Sequence, residues 1–487
     1  MINRNAPNMS LGPTSQSSTP DQANLKESWL KCPNCGASYD KPRHFCPQCH
    51  HYSSSWWDPN RKGKKRPHLK RNLIIAGLCV SLLVFLTFYW LAPYIPNPLV
   101  LLRQPGEGLS ALSETDGWTG YGKDPANTRY IAHAPALAGR IRWSLVLGKE
   151  PTESLPAVAD GVLYVGGYFK IYALKAATGE LIWETETTGP VHSSPTVADS
   201  LVYVGLLDGR VLALSRSTGR IEWEYKTNNF IFSSPTLVGN RLYIGSGDQA
   251  IYALNAQTGQ LIWKTSTEGR IQFAPAVQDD VLYVPSSDRS LYVLSAKSGA
   301  KRLRFRTYRD IIDAPVVANK LVYFVTRDGG LYTIRHKARE VPGQYQVKWM
   351  WTQLWLWRLP VPPPRPQAGA RWRSDPKNRW MGFTSSPAVT PDALYLGDRL
   401  GWFYARDALK GEPLWEFRTR SRISASPLVL EDKVYFGAMN GNLYALNRHE
   451  GELDWKLSLK APIKLSPVYA AGLLFLRTED GALHAIE

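Results

Sequence analysis

The stretch SPTLVGNRLYIGSGDQAIYALNAQTGQLIWKTS, Ser234–Ser266, decides the fold. Apolar and polar residues alternate through it with period two, the pattern of half-buried strands. Leu242–Ile244, Ile251–Leu254 and Leu261–Trp263 are its apolar runs, and glycine turns such as Thr258-Gly259 separate them. The preceding unit has Asp208-Gly209 and Thr218-Gly219 at matching places. Asp-Gly is a strong hairpin signal, because glycine enters φ > 0 without steric cost.

The unit recurs. Trp143, Trp183, Trp223 and Trp263 stand 40 residues apart, and Trp415 and Trp455 repeat the step. Pro156, Pro195, Pro235, Pro275, Pro315, Pro387, Pro427 and Pro467 mark a second phase, with steps of 39, 40, 40, 40, 72, 40 and 40. A period near 40 denotes stacked supersecondary units, here of four short strands each. One such blade cannot bury both of its faces, so blades must pack on one another. The recurring Trp, on the outer strand, is expected to fill the blade-to-blade contact. The predicted fold is all-β, an eight-bladed β-propeller over residues 118–487. The last unit, from Ser466, stops at Glu487 before its Trp strand, whereas Trp143 is in phase with Trp183 and has no blade before it. Ile141–Leu147 is therefore expected to complete the eighth blade and leave no free sheet edge. A distorted fifth blade leaves seven as the alternative.

Two blades break the rule. In the fourth, Leu303 takes the Trp position, Ser298-Gly299 replaces Thr-Gly, and the outer strand KRLRFRTYR (Lys301–Arg309) is basic. In the fifth, the step of 72 brings 72 − 40 = 32 extra residues, at about 336–383. The insertion carries Trp349, Trp351, Trp355, Trp357, Trp372 and Trp380, with Pro360, Pro362, Pro363, Pro364 and Pro366. From Arg335 to Met381 it has ten Lys/Arg against Glu340 and Asp375, a balance of +8. Alternation at the start of Val347–Leu359 predicts a hairpin extending the fifth blade. The six tryptophans are a candidate surface for a partner or a membrane, since Trp and Arg are enriched at binding hot spots; the alternative is that they cap the blade.

The unit A-x-x-T-G-x-x-x-W, as KAATGELIW (Lys175–Trp183) and NAQTGQLIW (Asn255–Trp263), resembles the repeat of PQQ-binding-like β-propellers. LYALN (Leu443–Asn447) and the lead-in GWTGYGKDPANTRY (Gly117–Tyr130) are also similar to that family. It includes quinoprotein dehydrogenases and non-enzymatic scaffolds such as BamB. The alcohol-type enzymes carry adjacent cysteines over the quinone, whereas no cysteine follows Cys79 here. Their calcium-ligand and catalytic-aspartate motifs find no match. The resemblance therefore implies the fold and not PQQ binding, and no catalytic residue is assigned.

A specific site on a symmetric ring is expected where one phase varies between blades. Three residues before each landmark proline the chain reads Glu153, His192, Phe232, Gln272, Ile312, Thr384, Ser424 and Lys464. Glu153, His192, Gln272 and Lys464 are the candidate ligand contacts of the ring's funnel; ordinary loop variability is the alternative.

Residues 1–29 are polar and predicted disordered. In CPNCGASYDKPRHFCPQC, Cys32/Cys35 and Cys46/Cys49 form two C-x2-C pairs, the spacing of a closed, structural Zn²⁺ site, over residues 30–52. Zinc supplies on the order of 10–16 kcal/mol to a segment too small for a core. A basic linker, 53–71, contains RKGKKRPHLKR, with seven Lys/Arg and no acid. Leu73–Ala92 then runs 20 residues without a charge, about 30 Å as a helix, the thickness of a hydrocarbon core. Tyr89, Trp90 and Tyr94 lie at its far end, as an aromatic belt does. The expectation is a single-pass helix over 72–95 and a linker over 96–117. A cleaved signal peptide is the alternative, disfavoured by the long preceding segment. The basic flank predicts a cytoplasmic N-terminus, contact with anionic lipid, and a propeller in the periplasm or outside the cell. That placement argues against a nucleic-acid partner despite the net charge of +17. The predicted function is binding, as a scaffold or sensor for a protein, peptide or envelope polymer; the alternative is a PQQ-dependent oxidoreductase.

Overall fold

The computed structural model describes residues 29–31, 35–40, 48–49, 67–91, 117–148, 152–341, 343–364, 366–375 and 382–487. The chain forms two compact units, Met1–Phe88 and Tyr89–Glu487. In the first, Trp29–Lys31 pairs antiparallel with Ser38–Asp40, and a helix runs Pro67–Leu91. Side chains on that helix are described only from Asn72 to Val84, and all of these are exposed. Among the described residues no helix is long and apolar enough to cross a membrane.

The second unit is a ring of eight antiparallel sheets. Seven blades use consecutive strands, from Ala157–Glu186 in the first to Leu428–Ser458 in the seventh. The eighth combines Val468–Ala470, Leu473–Arg477 and Ala482–Ile486 with Ile141–Val146 from the start of the unit, and Trp143 lies opposite Ala485. This is the expected closure, and it settles the count at eight. Every strand of the ring lies between Tyr130 and Ile486, so the ring is complete without the first unit.

Every blade joint except the fourth-to-fifth repeats one arrangement. The outer-strand Trp donates its indole N–H to a carbonyl of the next blade: Trp143 to Ala176, Trp183 to Arg216, Trp223 to Ala256, Trp263 to Ala296 and Trp415 to Arg448, all at 2.9–3.1 Å. Its face lies against the glycine of that blade's turn, Thr-Gly at Gly219 and Gly259 and Glu-Gly at Gly451. At Gly219, Gly259 and Gly451 an added Cβ would sit 2.5–2.6 Å from the indole. The turn glycine and the Trp 36 residues before it thus specify each other through packing. Deeper in, apolar clusters are shared by neighbours: Tyr243 and Ile251 of the third blade pack with Leu282, Val284 and Leu294 of the fourth. Full burial of each such side chain contributes about 2 kcal/mol.

The two irregular blades form one feature. The insertion separates Leu331–Arg335 from Ala370–Ser374, the third and fourth strands of the fifth blade. It folds back over the outer strand of the fourth blade, Lys301–Arg306. Glu340 N–H donates to the Arg302 carbonyl at 2.9 Å. Gln367 accepts from the Arg306 N–H at 2.9 Å and donates to its carbonyl at 2.6 Å. The Arg306 guanidinium lies 3.6 Å from the Tyr345 ring. Other outer strands alternate exposed and half-buried, whereas Arg302, Leu303 and Phe305 are buried. Leu303 replaces Trp because Ala338 and Ala370 fill that joint.

Two expectations for the insertion require correction. Val347–Leu359 is no hairpin: Gln344–Leu356 is an α-helix. The sheet edge a hairpin would need is taken by Ala370–Ser374. Residues without a strand partner satisfy their backbone groups locally, and Met, Leu, Gln and Lys are good helix formers. Trp372 is not a surface residue of the insertion either. It is the fifth blade's joint tryptophan, donating to the Leu409 carbonyl and lying against Gly411.

Candidate functional site

The inner strand of each blade begins at the landmark proline, so residues three before it converge on the ring axis. The structure gathers all eight, Glu153, His192, Phe232, Gln272, Ile312, Thr384, Ser424 and Lys464, around one funnel of about 600 Å³. Lys464 and Glu153, from the eighth and first blades, form an ion pair at 2.5 Å across the ring closure. His192 meets Phe232 edge to face at 5.5 Å, and Phe232 meets Phe230 likewise at 5.3 Å. Arg270 lies 5.6 Å over Phe230, so the aromatic contacts of His192 and Phe232 extend to a basic residue beyond the funnel lining. Burial holds the His192 imidazole below its ordinary pKa; the Glu153 charge opposes that shift, and Arg477 and Lys464 add to it. Its Nδ1 is buried without a hydrogen-bond partner among the described residues.

Among the funnel residues that sequence reasoning missed are Tyr121, Asp313 and Arg422. A belt of serines directly before the prolines carries hydrogen bonds from blade to blade. Ser194 N–H donates to Ser234 Oγ at 2.9 Å and Ser426 N–H to Ser466 Oγ at 2.9 Å. Serine is replaced at Leu155, Ala274 and Ala314. Beside Ala314, Asp313 substitutes: its carboxylate accepts from Ser386 N–H at 2.9 Å, Ser426 Oγ at 3.2 Å, Ala314 N–H at 2.7 Å and Tyr121 OH at 2.8 Å. The signal was present, as an acid two residues before one proline, but only the belt gives it meaning.

The lead-in Gly117–Tyr130 closes the channel further along the same strands. Its carbonyls at Trp118, Thr119, Pro125, Ala126, Thr128 and Arg129 accept the N–H groups of Val158, Val197, Val277, Val317, Val389 and Val429. These donors stand two residues after the prolines of six blades. Tyr121 reaches from this plug toward the funnel, and burial and the Asp313 charge raise its hydroxyl pKa. Arg129 stacks on the Tyr121 ring at 4.8 Å and is buried, with no hydrogen-bond partner for its guanidinium among the described residues. A second cavity of about 900 Å³ lies on the plug's side of the ring, lined by the lead-in with Leu237 and Tyr469.

Of the tryptophans assigned to a partner surface, Trp349, Trp355 and Trp357 are 60%, 44% and 71% exposed. Trp351 is half-buried and donates to the Pro362 carbonyl at 2.8 Å. Trp372 belongs to the ring, and Trp380 lies outside the described residues.

The four expected zinc ligands divide in the same way. Cys32 and Cys46 lie outside the described residues, whereas Cys35 and Cys49 lie within them. Cys35 is exposed in the turn between the paired strands Trp29–Lys31 and Ser38–Asp40, followed by Gly36 at φ 72°. Cys49 is half-buried and also stands in a turn, directly after the exposed Gln48. One cysteine from each C-x2-C pair is thus described, and the tetrahedral set expected of Cys32, Cys35, Cys46 and Cys49 is not displayed. Among the described residues no group of three or more His, Cys, Asp or Glu is placed to hold a metal.

Eight blades around a funnel, seven of four strands and the seventh in order extended to five by Tyr130–Ile131, with the ring closed by Ile141–Val146, define an eight-bladed β-propeller of the PQQ-like class. The family described as outer membrane protein assembly factor BamB matches residues 128–269, 229–310, 247–358 and 365–487. The chain belongs to this family. No curated protein sequence matches it. BamB from Moraxella catarrhalis is similar in structure at TM-score 0.54 and 16% identity, covering 72% of this chain and 97% of that one. Quinohemoprotein alcohol dehydrogenase from Comamonas testosteroni is similar at TM-score 0.59 and 15% identity, covering 76% and 80%. A europium-containing methanol dehydrogenase is similar at TM-score 0.60 and 14% identity, covering 78% and 91%. At these identities the likeness concerns the fold.

Proposed function

We propose that the protein is a membrane-anchored scaffold or sensor whose propeller, in the periplasm or outside the cell, binds a protein, peptide or envelope polymer. One observation carries the reading: on a ring whose scaffold positions repeat, the eight side chains at the funnel differ in charge, size and hydrogen-bonding capacity. Variation at a single phase of a repeating frame suits recognition. Membership of the BamB family accords with it. The anchor rests on the uncharged stretch Leu73–Ala92 and its basic flank, with the N-terminus cytoplasmic. Cys32, Cys35, Cys46 and Cys49 would then hold a structural zinc on the reducing side, a reading that rests on their paired spacing.

A quinoprotein oxidoreductase is the second reading, favoured by the fold shared with alcohol and methanol dehydrogenases. The described funnel fits a quinone poorly. No indole lines it, both Asp313 oxygens are already bonded within the ring, and Glu153 is paired with Lys464. We derive no redox step from it.

The test uses the closed ring, residues 110–487, titrated with PQQ and Ca²⁺ and followed by absorbance and thermal shift. The scaffold reading expects no saturable change, since a ligand far above its Kd shifts melting clearly. In parallel, a photo-crosslinking residue at Phe232 in the full chain should capture a defined envelope component in native membranes. One-to-one PQQ binding with a large melting shift would overturn the scaffold reading.

A further inference from the structure

The helix Gln344–Leu356 has no buried residue, although it carries Val347, Trp349, Met350, Trp355 and Leu356. At about 100° per residue, Val347, Trp349, Met350 and Trp355 fall on four different sides of it. Apolar side chains exposed in this number on one short helix mark a surface that another apolar phase or partner covers. The exposed apolar side chains are led by tryptophan, the side chain enriched where water meets lipid, rather than forming the single aliphatic stripe that a protein groove covers. Thirteen residues make about 20 Å, too short to cross a hydrocarbon core of about 30 Å but suited to lying in its boundary.

Charge selects the lipid. Arg335, Arg358 and Arg371, in the insertion or the strands that flank it, are exposed. The segment's two acids do not offset them: Glu340 is buried against the fourth blade, and Asp375 is bonded by Arg373. Tryptophan flanked by arginine is the composition of a membrane–water interface. The segment is held to the ring through Glu340, Tyr345 and Gln367, so whatever it enters, the ring follows.

We infer that the helix Gln344–Leu356, with Trp357, docks the propeller onto the surface of a bilayer containing anionic phospholipid. This goes beyond the scaffold reading and does not depend on its partner. It gives the ring a second membrane contact and leaves the funnel open.

The test is co-sedimentation of the closed ring, residues 110–487, with vesicles of phosphatidylcholine alone or mixed with phosphatidylglycerol. Brominated lipids report tryptophan insertion by quenching. The ring should partition onto the anionic vesicles with quenching. Trp349→Ser, Trp355→Ser and Trp357→Ser together should weaken partitioning at least about tenfold. Melting should not change, because these side chains leave the ring's joints untouched. High salt should weaken binding without abolishing quenching. The proposal is overturned if neither vesicle binds, if the triple variant binds equally well, or if light scattering shows copies of the ring associating through these tryptophans instead. The funnel cross-link reads a separate site, so either proposal can fail alone.

Discussion

The indole of Trp223 lies face-on against Gly259 of the following blade, so close that a Cβ there would stand 2.6 Å from Cε3, while its N–H donates to the Ala256 carbonyl at 2.9 Å. This relationship recurs around the ring and explains why tryptophan and glycine keep step through the sequence.

Gly259→Ala should therefore cost more than its backbone strain. Gly259 has φ 71° and no room for a methyl group, whereas Gly239 has φ 56° with nothing within 4 Å. Denaturant unfolding should show a loss of about 1–2 kcal/mol for Gly239→Ala and a further 1–3 kcal/mol or so for Gly259→Ala. Equal losses would mean the indole yields freely.

Leu303→Trp restores the repeat's own residue and should nonetheless destabilise. The fourth-to-fifth joint is filled by Ala338 and Ala370, so overpacking should cost about 1–3 kcal/mol. A variant as stable as the parent would show that the insertion's cover is loose.

Acid sensitivity should run through the histidines. Burial lowers the pKa of His192, His336 and His484 from 6.5. Unfolding lets each bind a proton that the folded ring resists. Their contribution is complete above about pH 6.5 and is lost as pH falls below it toward the folded values. His484 occupies the position of Tyr252 and Tyr444 in other blades. His484→Tyr should thus lose less melting temperature than the parent between pH 7 and 5 (a range set by the ordinary histidine value). Parallel curves would contradict this.

Cys32→Ser or Cys49→Ser in the full chain should release zinc, measured by metal analysis, and leave the melting of the ring unchanged. No strand of the ring comes from the first unit. A joint loss of zinc and ring stability would contradict separate units.

Much of this was legible in the chain. The 40-residue period, the eight prolines, the closing strand beginning at Ile141 and the ring of residues from Glu153 to Lys464 follow from spacing alone. Each is a consequence of local pattern repeated at fixed phase, and repetition turns a weak signal into a strong one. The insertion has no second copy to average over. Its alternation suggested a hairpin, and a helix formed because the sheet edge was already taken.

The sequence by itself determined the repeat, the fold class and which phase of each blade faces the axis, because periodicity of side chains fixes which face is buried. Only the tertiary structure decided that Trp372 completes a blade while Trp349 faces outward, that Asp313 mends the serine belt, and that Leu303 belongs with an insertion one blade away. Those facts depend on which surfaces meet after the ring closes, and contacts between residues tens of positions apart leave no local period.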